Sequence, residues 1–392
     1  TLYCGFDPSA RSLQAGNLVS IMVLKRFQQA GHRVIALVGG ATGLIGDPSG
    51  KSAERNMLTV EQVEENKKGI RENLARVLDF DGPNAAIMVD NYDWYKNTSA
   101  IAFLRDIAIN FRVPQMLAKE SVKKRLEASE GALTFTEFSY QILQGNDFLH
   151  LFDTYGCQLE IGGADQWGNI TAGTDLVRRM RGKSAYGLTF PLLLDSAGRK
   201  FGKSEGNALF LDESLTSVYD WYQYFLRSAD ADVIRYLKVF SMRPLEEIAA
   251  LEAEMKAHPE ARIPQKALAE ELTRLIHGEA GLKKAQDATQ TLFGGSQAGK
   301  SAAELETIFK DVKSATVKRA ESVGRTVWSV AAAAGMFKSN GEARRMAQQG
   351  GLSLNGAKVD DKRLLAESDL VEGRLAVLKQ GKKNNFLLRV EG

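Results

Sequence analysis

The first forty residues alternate between short apolar runs and a helical pattern, which strongly limits the folds open to this chain. Residues 2–6 (LYCGF) are apolar and precede an Asp-Pro pair, as is typical of a buried strand that ends at a turn. Apolar side chains then recur at helical spacing over 13–30, and Gly31 is placed to end that helix. Residues 34–38 (VIALV) form the next predicted strand. The pattern predicts a strand–helix–strand unit.

The loop after the first predicted strand is rich in polar and glycine residues. Ligands of open α/β sheets bind at the carboxyl ends of strands, and N–H groups at a helix start point toward phosphate. This loop leads into the helix through Gln14, Gly16 and Asn17. Strand–helix–strand units are common, so the specific residues of the loop carry more weight than its shape.

Residues 4–17 (CGFDPSARSLQAGN) resemble the nucleotide-binding signature of class I aminoacyl-tRNA synthetases, and most of all bacterial-type tyrosyl-tRNA synthetases. That family usually has His-(Ile or Leu)-Gly-His where this chain has QAGN at 14–17. The amides keep a hydrogen-bond donor but carry no charge. Asparagine at the last of these positions also occurs among related class I enzymes. The resemblance implies catalytic roles for Ser9, Gln14 and Asn17, and ATP-binding roles for Gly5, Asp7 and Gly16.

A second glycine-rich loop follows the second predicted strand over residues 39–50. The run 46–52 (GDPSGKS) is not a phosphate-binding P-loop, because it has three residues between its glycines where that motif needs four. Residues 39–47 instead match the synthetase family. The resemblance implies that Asp47 holds the α-ammonium group of tyrosine and that Lys51 is catalytic.

Residues 135–152 predict a helix with a polar stripe among apolar neighbours. Tyr140, Gln144 and Asp147 are spaced to share one helix face. An unpaired buried polar group costs about 1–3 kcal/mol, so these groups need partners, either in an internal network or in a ligand pocket. The resemblance favours the pocket and implies that Asp147 and Tyr3 bind the phenolic hydroxyl of tyrosine. Rejection of phenylalanine by tyrosyl-tRNA synthetases is a known example of such recognition.

Two further predicted strand ends carry polar residues. Residues 159–161 lead into GGADQWGN at 162–169, where the resemblance implies that Asp165 binds the ribose of ATP and Gln166 lines the tyrosine site. A predicted last strand over 188–194 precedes a loop that resembles the class I Lys-Met-Ser-Lys-Ser loop. Lys200 and Lys203 of this loop are catalytic by resemblance, and Lys203 also binds ATP. Lysines on such a loop can stabilise the negative charge of the leaving pyrophosphate.

The rest of the chain predicts a helical region and a small basic domain. Residues 325–392 contain twelve Lys and Arg against seven Asp and Glu, a net charge of +5. A capped helix over 339–349 precedes an Asn355-Gly356 turn between two short strands. This order resembles the small RNA-binding fold named after ribosomal protein S-four. The resemblance implies that RNA phosphates contact Arg344, Arg345, Lys382 and Lys383.

The predicted fold is thus α/β, with a Rossmann-like parallel-sheet catalytic domain, an α-helical domain and a small α+β S-four-like domain. We expect the catalytic domain over 1–210, the helical tRNA-binding domain over 211–292, a linker with one helix over 293–324 and the RNA-binding domain over 325–392. Members of the resembled family carry a helical segment before the first strand, so we also expect residues to precede Thr1.

Composition and charge narrow the biological setting. The 44% hydrophobic and 25% charged residues are ordinary for a soluble protein, and a net charge of +3 does not demand a polyanionic partner. Two cysteines cannot form a disulfide framework, which favours the reducing cytoplasm. No apolar run approaches membrane-spanning length. The four histidines show no metal-ligand spacing, so we expect no protein metal site, with Mg²⁺ carried on the ATP substrate.

Three functions compete at this point. The first is a homodimeric tyrosine–tRNA ligase that uses tyrosine, ATP and tRNA(Tyr). The second is a synthetase paralogue that binds structured RNA without efficient catalysis, which the amides Gln14 and Asn17 suggest. The third is a class I ligase for another aromatic amino acid. Tyr3, Tyr140 and Asp147 argue against the third function, and the otherwise complete set of site residues argues against the second.

Overall fold

The computed structural model describes residues 1–49, 57–127, 133–204, 207–293, 299–310, 312–381 and 384–392. These residues form two compact units. The first contains 1–216 and 224–276, and the second contains 217–223 and 277–392. The predicted site residues Lys51, Lys382 and Lys383 lie outside the described residues.

The first unit is built on a parallel sheet with the strand order β3-β2-β1-β4-β5. The strands are β1 (Leu2–Phe6), β2 (Val34–Val38), β3 (Ile87–Asp90), β4 (Leu159–Gly163) and β5 (Tyr186–Phe190). The sequence places the last strand over 188–194, which is wrong by a few residues. The strand order reverses between β1 and β4, and such a switch point opens a crevice for ligands. The predicted α/β parallel sheet is confirmed.

Helices connect these strands and cover the sheet. They are α1 (Ala15–Gln29), α2 (Thr42–Ile45), α3 (Val60–Ala75), α4 (Tyr92–Tyr95), α5 (Ala100–Ala102), α6 (Val113–Leu117), α7 (Glu120–Glu127), α8 (Phe135–Tyr155) and α9 (Trp167–Arg181). Residues 103–107 form a π-helical turn directly after α5. Helix α8 packs against β1 and β2, with Phe148 and Leu151 in one core cluster with Tyr3 and Ile35.

A short hairpin and several helices follow β5. The hairpin strands are β6 (Lys203–Ser204) and β7 (Asn207–Ala208), and the helices are α10 (Val218–Leu226), α11 (Asp230–Phe240), α12 (Leu245–Ala257) and α13 (Ile263–Phe293). The region 212–292 is therefore largely helical, as the sequence predicts, but it is divided by turns. Helix α13 is interrupted at Gly278, whose φ of 71° is not helical.

The second unit contains a mixed sheet with the order β10-β9-β11-β12-β8. Its elements are α14 (Ala302–Ile308), β8 (Ser314–Lys318), α15 (Arg319–Ser322), α16 (Val327–Ala333), α17 (Asn340–Gln348), β9 (Leu352–Leu354), β10 (Ala357–Lys358), β11 (Leu375–Gln380) and β12 (Asn384–Glu391). Asn355 and Gly356 both have positive φ, at 49° and 87°, which forms the predicted tight turn.

The segment 299–324 differs from the linker that the sequence predicts. Strand β8 pairs in parallel with β12 and forms one edge of the mixed sheet. Leu305 of α14 is fully buried, together with Phe309, in a core that includes Leu375 and Leu387. This segment is rich in glycine, alanine and lysine, so its apolar face was not evident from the sequence. That face packs against strands that lie far away in the chain. The linker interpretation is wrong for these residues.

Candidate active site

A cavity of about 430 Å³ lies at the carboxyl ends of β1 and β4, where the strand order reverses. The structure brings every predicted tyrosine-, ATP- and catalytic-site residue that it describes into the lining of this cavity. They are Tyr3, Gly5, Asp7, Ser9, Gln14, Gly16, Asn17, Asp47, Tyr140, Gln144, Asp147, Asp165, Gln166, Lys200 and Lys203. The lining therefore joins carboxylates, amides, hydroxyls and lysines in a single space.

Asp147 lies buried in the lining of the cavity, where Asn91, directly after β3, and Trp94 of α4 hold its carboxyl. Trp94 Nε1 donates to Asp147 Oδ1 at 2.9 Å, and Asn91 Nδ2 donates to Oδ2 at 3.0 Å. Burial raises the pKa of Asp147 to about 7, although these donors act in the opposite direction. Sequence reasoning did not assign roles to Asn91 and Trp94. Their position directly after a strand of a parallel sheet was the available signal.

A second buried carboxyl, Glu160 of β4, lies in the same pocket and was also missed by sequence reasoning. Gln144 Nε2 donates to Glu160 Oε1 at 2.8 Å. Burial raises the pKa of Glu160 to about 8. A carboxyl within an otherwise apolar strand was the signal, since such a group is almost never buried without partners.

Asp7 joins the β1 loop to α8 and α2. Tyr140 donates its phenolic hydrogen to Asp7 Oδ2 at 2.7 Å, and Thr42 Oγ1 donates to Asp7 Oδ1 at 2.7 Å. The tight approach explains Gly39, because a Cβ there would lie 2.0 Å from Asp7 Oδ1. The glycine-rich loop after β2 thus gives space to an acidic group of the cavity.

Asp47 and Asp165 form an acidic rim between the two glycine-rich loops. Asp47 accepts from Ser49 N at 2.9 Å and from Gln166 Nε2 at 2.7 Å. Burial raises the pKa of Asp165, and the charge of Asp47 acts in the same direction, while Lys200 opposes them. This rim of partly exposed negative charge suits an ammonium group or ribose hydroxyls.

The signature residues form the start of α1. Asn17 Oδ1 accepts from the Gln14 backbone N–H at 3.0 Å, so the asparagine amide caps its own helix. The backbone then pairs with the segment after β7, since Ala15 N donates to the Leu209 carbonyl at 2.8 Å. Gly202 lies against this helix start, because a Cβ there would be 3.1 Å from Gly16 N. The base of the lysine loop is therefore fixed beside the helix N-terminus, with Lys200 and Lys203 lining the cavity.

The predicted RNA-contacting arginines lie on α17 of the second unit. Arg344 and Arg345 are both exposed. Arg344 Nε pairs with Asp361 Oδ2 at 3.2 Å, and Gln348 donates to the same oxygen at 2.8 Å. Exposed pairs of this kind contribute little to stability, so Arg344 can exchange its partner for a phosphate at small cost.

Comparison with known proteins matches both parts of the chain. Residues 1–294 match the family model of the tRNA synthetases class I (W and Y), and residues 304–388 match the tyrosine–tRNA ligase SYY-like C-terminal domain. The chain belongs to the tyrosyl branch of the class I aminoacyl-tRNA synthetases. The five-stranded parallel arrangement of the described sheet is thus that of a class I synthetase.

The similarity to curated class I synthetases extends over nearly the whole chain. Tyrosine–tRNA ligases of Protochlamydia amoebophila and Geobacillus stearothermophilus are each 48% identical over 392 residues, which covers 99% of this chain and 92% of each relative. Among solved structures, a C-terminally truncated mitochondrial tyrosyl-tRNA synthetase of Aspergillus nidulans matches with a TM-score of 0.65 and 30% identity. That match covers 74% of this chain and 85% of the other.

Within the ranges that the structure describes, no three His, Cys, Asp or Glu side chains are grouped so that they could hold a metal ion. No described helix is both long enough and apolar enough to cross a membrane.

Proposed function

We propose that this chain is a tyrosine–tRNA ligase that activates tyrosine with ATP and transfers it to the 3′ end of tRNA(Tyr). The observation that carries this proposal is the single cavity in which a buried carboxyl pocket adjoins a helix N-terminus and two lysines. An aromatic amino acid with a polar ring substituent fits the buried carboxyl pocket. A nucleoside triphosphate fits the helix N-terminus and the two lysines, because helix N–H groups and ammonium groups attract phosphate.

The proposed tyrosine contacts divide between the two ends of the substrate. Asp147 and Tyr3 bind the phenolic hydroxyl at the buried end. The α-ammonium group lies at the acidic rim, against Asp47 and the hydroxyl of Tyr140, with Gln144 and Gln166 completing the lining. The network supports this division, since Gln166 orients Asp47 and Tyr140 is fixed by Asp7.

The proposed ATP contacts lie at the switch point. Gly5 and Gly16 let the nucleotide approach the backbone, and Asp7 and Asp165 face its polar groups, with Asp165 at the ribose. Mg²⁺ enters on the triphosphate of the substrate. We assign a catalytic role to Lys51 from the sequence resemblance alone.

In the first reaction a carboxylate oxygen of tyrosine attacks the α-phosphorus of ATP. The new bond forms as the bond from that phosphorus to the bridging oxygen breaks, and pyrophosphate leaves. Ser9, Gln14 and Asn17 lie where donors can stabilise the pentacoordinate phosphate, and Lys200 and Lys203 stabilise charge on the pyrophosphate. In the second reaction a ribose hydroxyl at the tRNA 3′ end attacks the tyrosyl carbonyl, and AMP leaves.

The proposal includes partners and boundaries beyond the cavity. Arg344, Arg345, Lys382 and Lys383 contact tRNA phosphates, and the protein acts in the cytoplasm. A homodimer is supported by large apolar side chains left exposed on the first unit, including Ile101 at 72%, Ile109 at 65% and Phe135 at 75% exposure. The boundaries 1–210, 211–292 and 325–392 remain our functional division, whereas residues 299–324 belong with the last part, because β8 pairs with β12.

Aminoacylation tests this function directly. Purified protein, ATP and bacterial tRNA should yield acid-precipitable radiolabelled tyrosyl-tRNA, whereas phenylalanine and tryptophan should not be attached. Replacing both loop lysines in Lys200→Ala with Lys203→Ala should lower the charging rate by at least about 100-fold, as expected for loss of transition-state donors. Binding of tRNA without charging of any amino acid would favour the structured-RNA-binding alternative and contradict the proposal.

A further inference from the structure

We propose that Glu160 is a specificity-determining residue of the tyrosine pocket, because its carboxyl directs the hydroxyl of Tyr3 and the amide of Gln144 toward the substrate. This inference rests on the proposed function and adds a residue that neither the signature loops nor the predicted tyrosine site contains.

Strand register places Glu160 beside Tyr3. Strands β1 and β4 are parallel neighbours, and Tyr3 lies directly opposite Glu160 across this pair. Directly paired residues of adjacent strands project from the same face of the sheet. Both side chains line the cavity, and each is at most 2% exposed. Glu160 is thus placed to act on the tyrosine that we assign to the phenolic end of the substrate.

One oxygen of Glu160 and the hydroxyl of Tyr3 have unused hydrogen-bonding capacity. Among the residues that the structure describes, neither Glu160 Oε2 nor Tyr3 Oη makes a hydrogen bond of good geometry, although both atoms are buried and the two side chains lie near enough to interact as a hydrogen-bonding pair. Leaving such groups unpaired costs about 1–3 kcal/mol each, so a ligand or a small rotation that pairs them is strongly favoured. A phenolic hydroxyl of the substrate bound beside these two atoms would supply the missing hydrogen-bond partner.

The other oxygen of Glu160 fixes the orientation of Gln144. Because Gln144 Nε2 donates to Glu160 Oε1, the amide cannot be reversed without losing that bond. The amide oxygen is then the acceptor that Gln144 offers to the cavity. A neutral amide acceptor suits a donor group of the bound amino acid and adds no further charge to an already acidic pocket.

Several titratable groups face Glu160 from neighbouring elements. Tyr3 and Cys4 lie on β1, Asp147 lies on α8, Lys119 precedes α7, and Cys157 precedes β4. Burial raises the pKa of Glu160 most, the charge of Asp147 raises it further, and Lys119 lowers it, with a result of about 8. The carboxyl is therefore mainly protonated at neutral pH and ionises in mildly alkaline solution.

Ionisation of Glu160 would reverse the direction of the hydrogen bond that a small rotation forms between Glu160 and Tyr3. When Glu160 is protonated, its hydroxyl donates to Tyr3 Oη, so the Tyr3 hydrogen remains available for the phenolic oxygen of the substrate. The phenolic hydrogen of the substrate then goes to Asp147. When Glu160 is ionised, it accepts the Tyr3 hydrogen, and the substrate loses that donor. Tyrosine binding should consequently weaken as pH rises through the Glu160 pKa.

The test is the pH dependence of KM and kcat for tyrosine-dependent ATP–pyrophosphate exchange, in the unaltered chain and in Glu160→Gln. The amide of the variant is a permanent donor that does not titrate in this range. We expect KM for tyrosine in the unaltered chain to rise above about pH 8 relative to KM of Glu160→Gln, toward a plateau of up to about tenfold, the value of one lost hydrogen bond. The kcat ratio should change much less. Titration of the tyrosine ammonium group affects both proteins and cancels in the comparison.

Two controls separate recognition from a structural effect. Phenylalanine lacks the phenol, so its KM should not show the pH-dependent difference between the two proteins. Asp153→Asn, an exposed change on α8 at an ion pair with Arg181, should retain the unaltered profile. Glu160→Asp should retain an alkaline rise in KM, because it keeps a titrating carboxyl.

The outcomes distinguish this inference from the proposed function. Tyrosine activation with the same pH profile in the unaltered chain and in Glu160→Gln would overturn the role of Glu160 alone. An equal pH-dependent KM difference between the unaltered chain and Glu160→Gln for tyrosine and for phenylalanine would also overturn it, since the effect would then not depend on the phenolic hydroxyl. Absence of tyrosine-dependent exchange in the unaltered chain would overturn both.

Discussion

The indole N–H of Trp94 donates a 2.9 Å hydrogen bond to Oδ1 of Asp147, and this bond fixes the carboxyl that faces the buried end of the cavity. Asn91 holds the other oxygen at 3.0 Å. Each carboxylate oxygen has two lone pairs, so both can accept a further hydrogen from a substrate. The pocket is therefore preorganised for a phenolic hydroxyl.

Removal of the Asp147 carboxyl should abolish most of the preference for tyrosine over phenylalanine. A hydrogen bond to a charged group contributes about 1.5–3 kcal/mol, so Asp147→Ala should lower that preference by roughly 10–150-fold or more. The ratio of kcat/KM for the two amino acids in exchange assays measures it. Asp153→Ala on the same helix is the matched control. An unchanged ratio in Asp147→Ala would refute the assignment.

The altered signature should give a working but slower enzyme. Gln14→His with Asn17→His should accelerate adenylate formation, measured by single-turnover kinetics, while tyrosine affinity stays nearly constant, because the added donors act mainly on the transition state. One such donor is typically worth roughly 10²–10³ in rate, and the native amides retain part of that.

The same reversion should reduce stability. Asn17 Oδ1, at the third helical position, accepts the Gln14 N–H as one half of a capping box of α1, and loss of one hydrogen bond costs about 0.5–1.5 kcal/mol. Asn17→Ala should therefore lower the unfolding free energy by a similar amount without accelerating adenylate formation. If Asn17→Ala accelerated the reaction as much as the double reversion, the phosphate-binding role of the signature would be wrong.

Arg344 and Arg345 should affect tRNA binding without affecting tyrosine activation. Removing one arginine–phosphate interaction should reduce the slope of log affinity against log salt by about one, so loss of both arginines should reduce it by about two. Filter binding of tRNA to Arg344→Ala with Arg345→Ala, over a range of salt, measures this slope. Lys68→Ala removes an exposed basic residue of α3 that pairs with Glu65, and it should leave the slope unchanged. Equal slopes in all three proteins would contradict the RNA-binding role of the arginines.

The contribution of Asp147 and Glu160 to stability should fall as pH rises from acidic to mildly alkaline values. The folded-state pKa values of Asp147 and Glu160, about 7 and about 8, lie above their ordinary values of 3.8 and 4.5. Each group therefore stabilises the fold fully below its ordinary pKa, and this stabilisation is lost as pH rises toward the folded-state value. The unfolding free energy should decline by up to about 1.4 kcal/mol per pH unit for each group.

Urea denaturation at several pH values measures that decline. Asp147→Asn and Glu160→Gln should each flatten the curve over the respective window, between about pH 4 and 7 and between about pH 4.5 and 8. A slope that is unchanged in both variants would show that neither carboxyl is held protonated by the fold.

The sequence was sufficient to predict the strand ends that carry the site, because a parallel sheet brings those ends to one edge. Tyr3, Asp7 and Asp165 meet there although up to 162 positions separate them. It was not sufficient to predict which groups pair. The bond between Asn91 and Asp147 depends on the exact packing of α8 against the end of β3, and no local pattern encodes it.

The segment after residue 299 shows a different limit of sequence reasoning. Strand β8 has alternating burial on a short run, and its partner β12 lies about 70 residues later. A single edge strand of this length has little propensity signal of its own, so the composition of its surroundings suggested a linker. Glu160 was overlooked for a similar reason, since its significance comes from Tyr3 on the neighbouring strand.

Tyrosine-dependent ATP–pyrophosphate exchange tests the central claim most directly, because it requires the amino acid pocket and the nucleotide site to work together without the need for a cognate tRNA. The account predicts that the unaltered chain exchanges radiolabelled pyrophosphate into ATP when tyrosine is present, and far more slowly with phenylalanine or without an amino acid. No tyrosine-dependent exchange, either in the unaltered chain or in Gln14→His with Asn17→His, would contradict it.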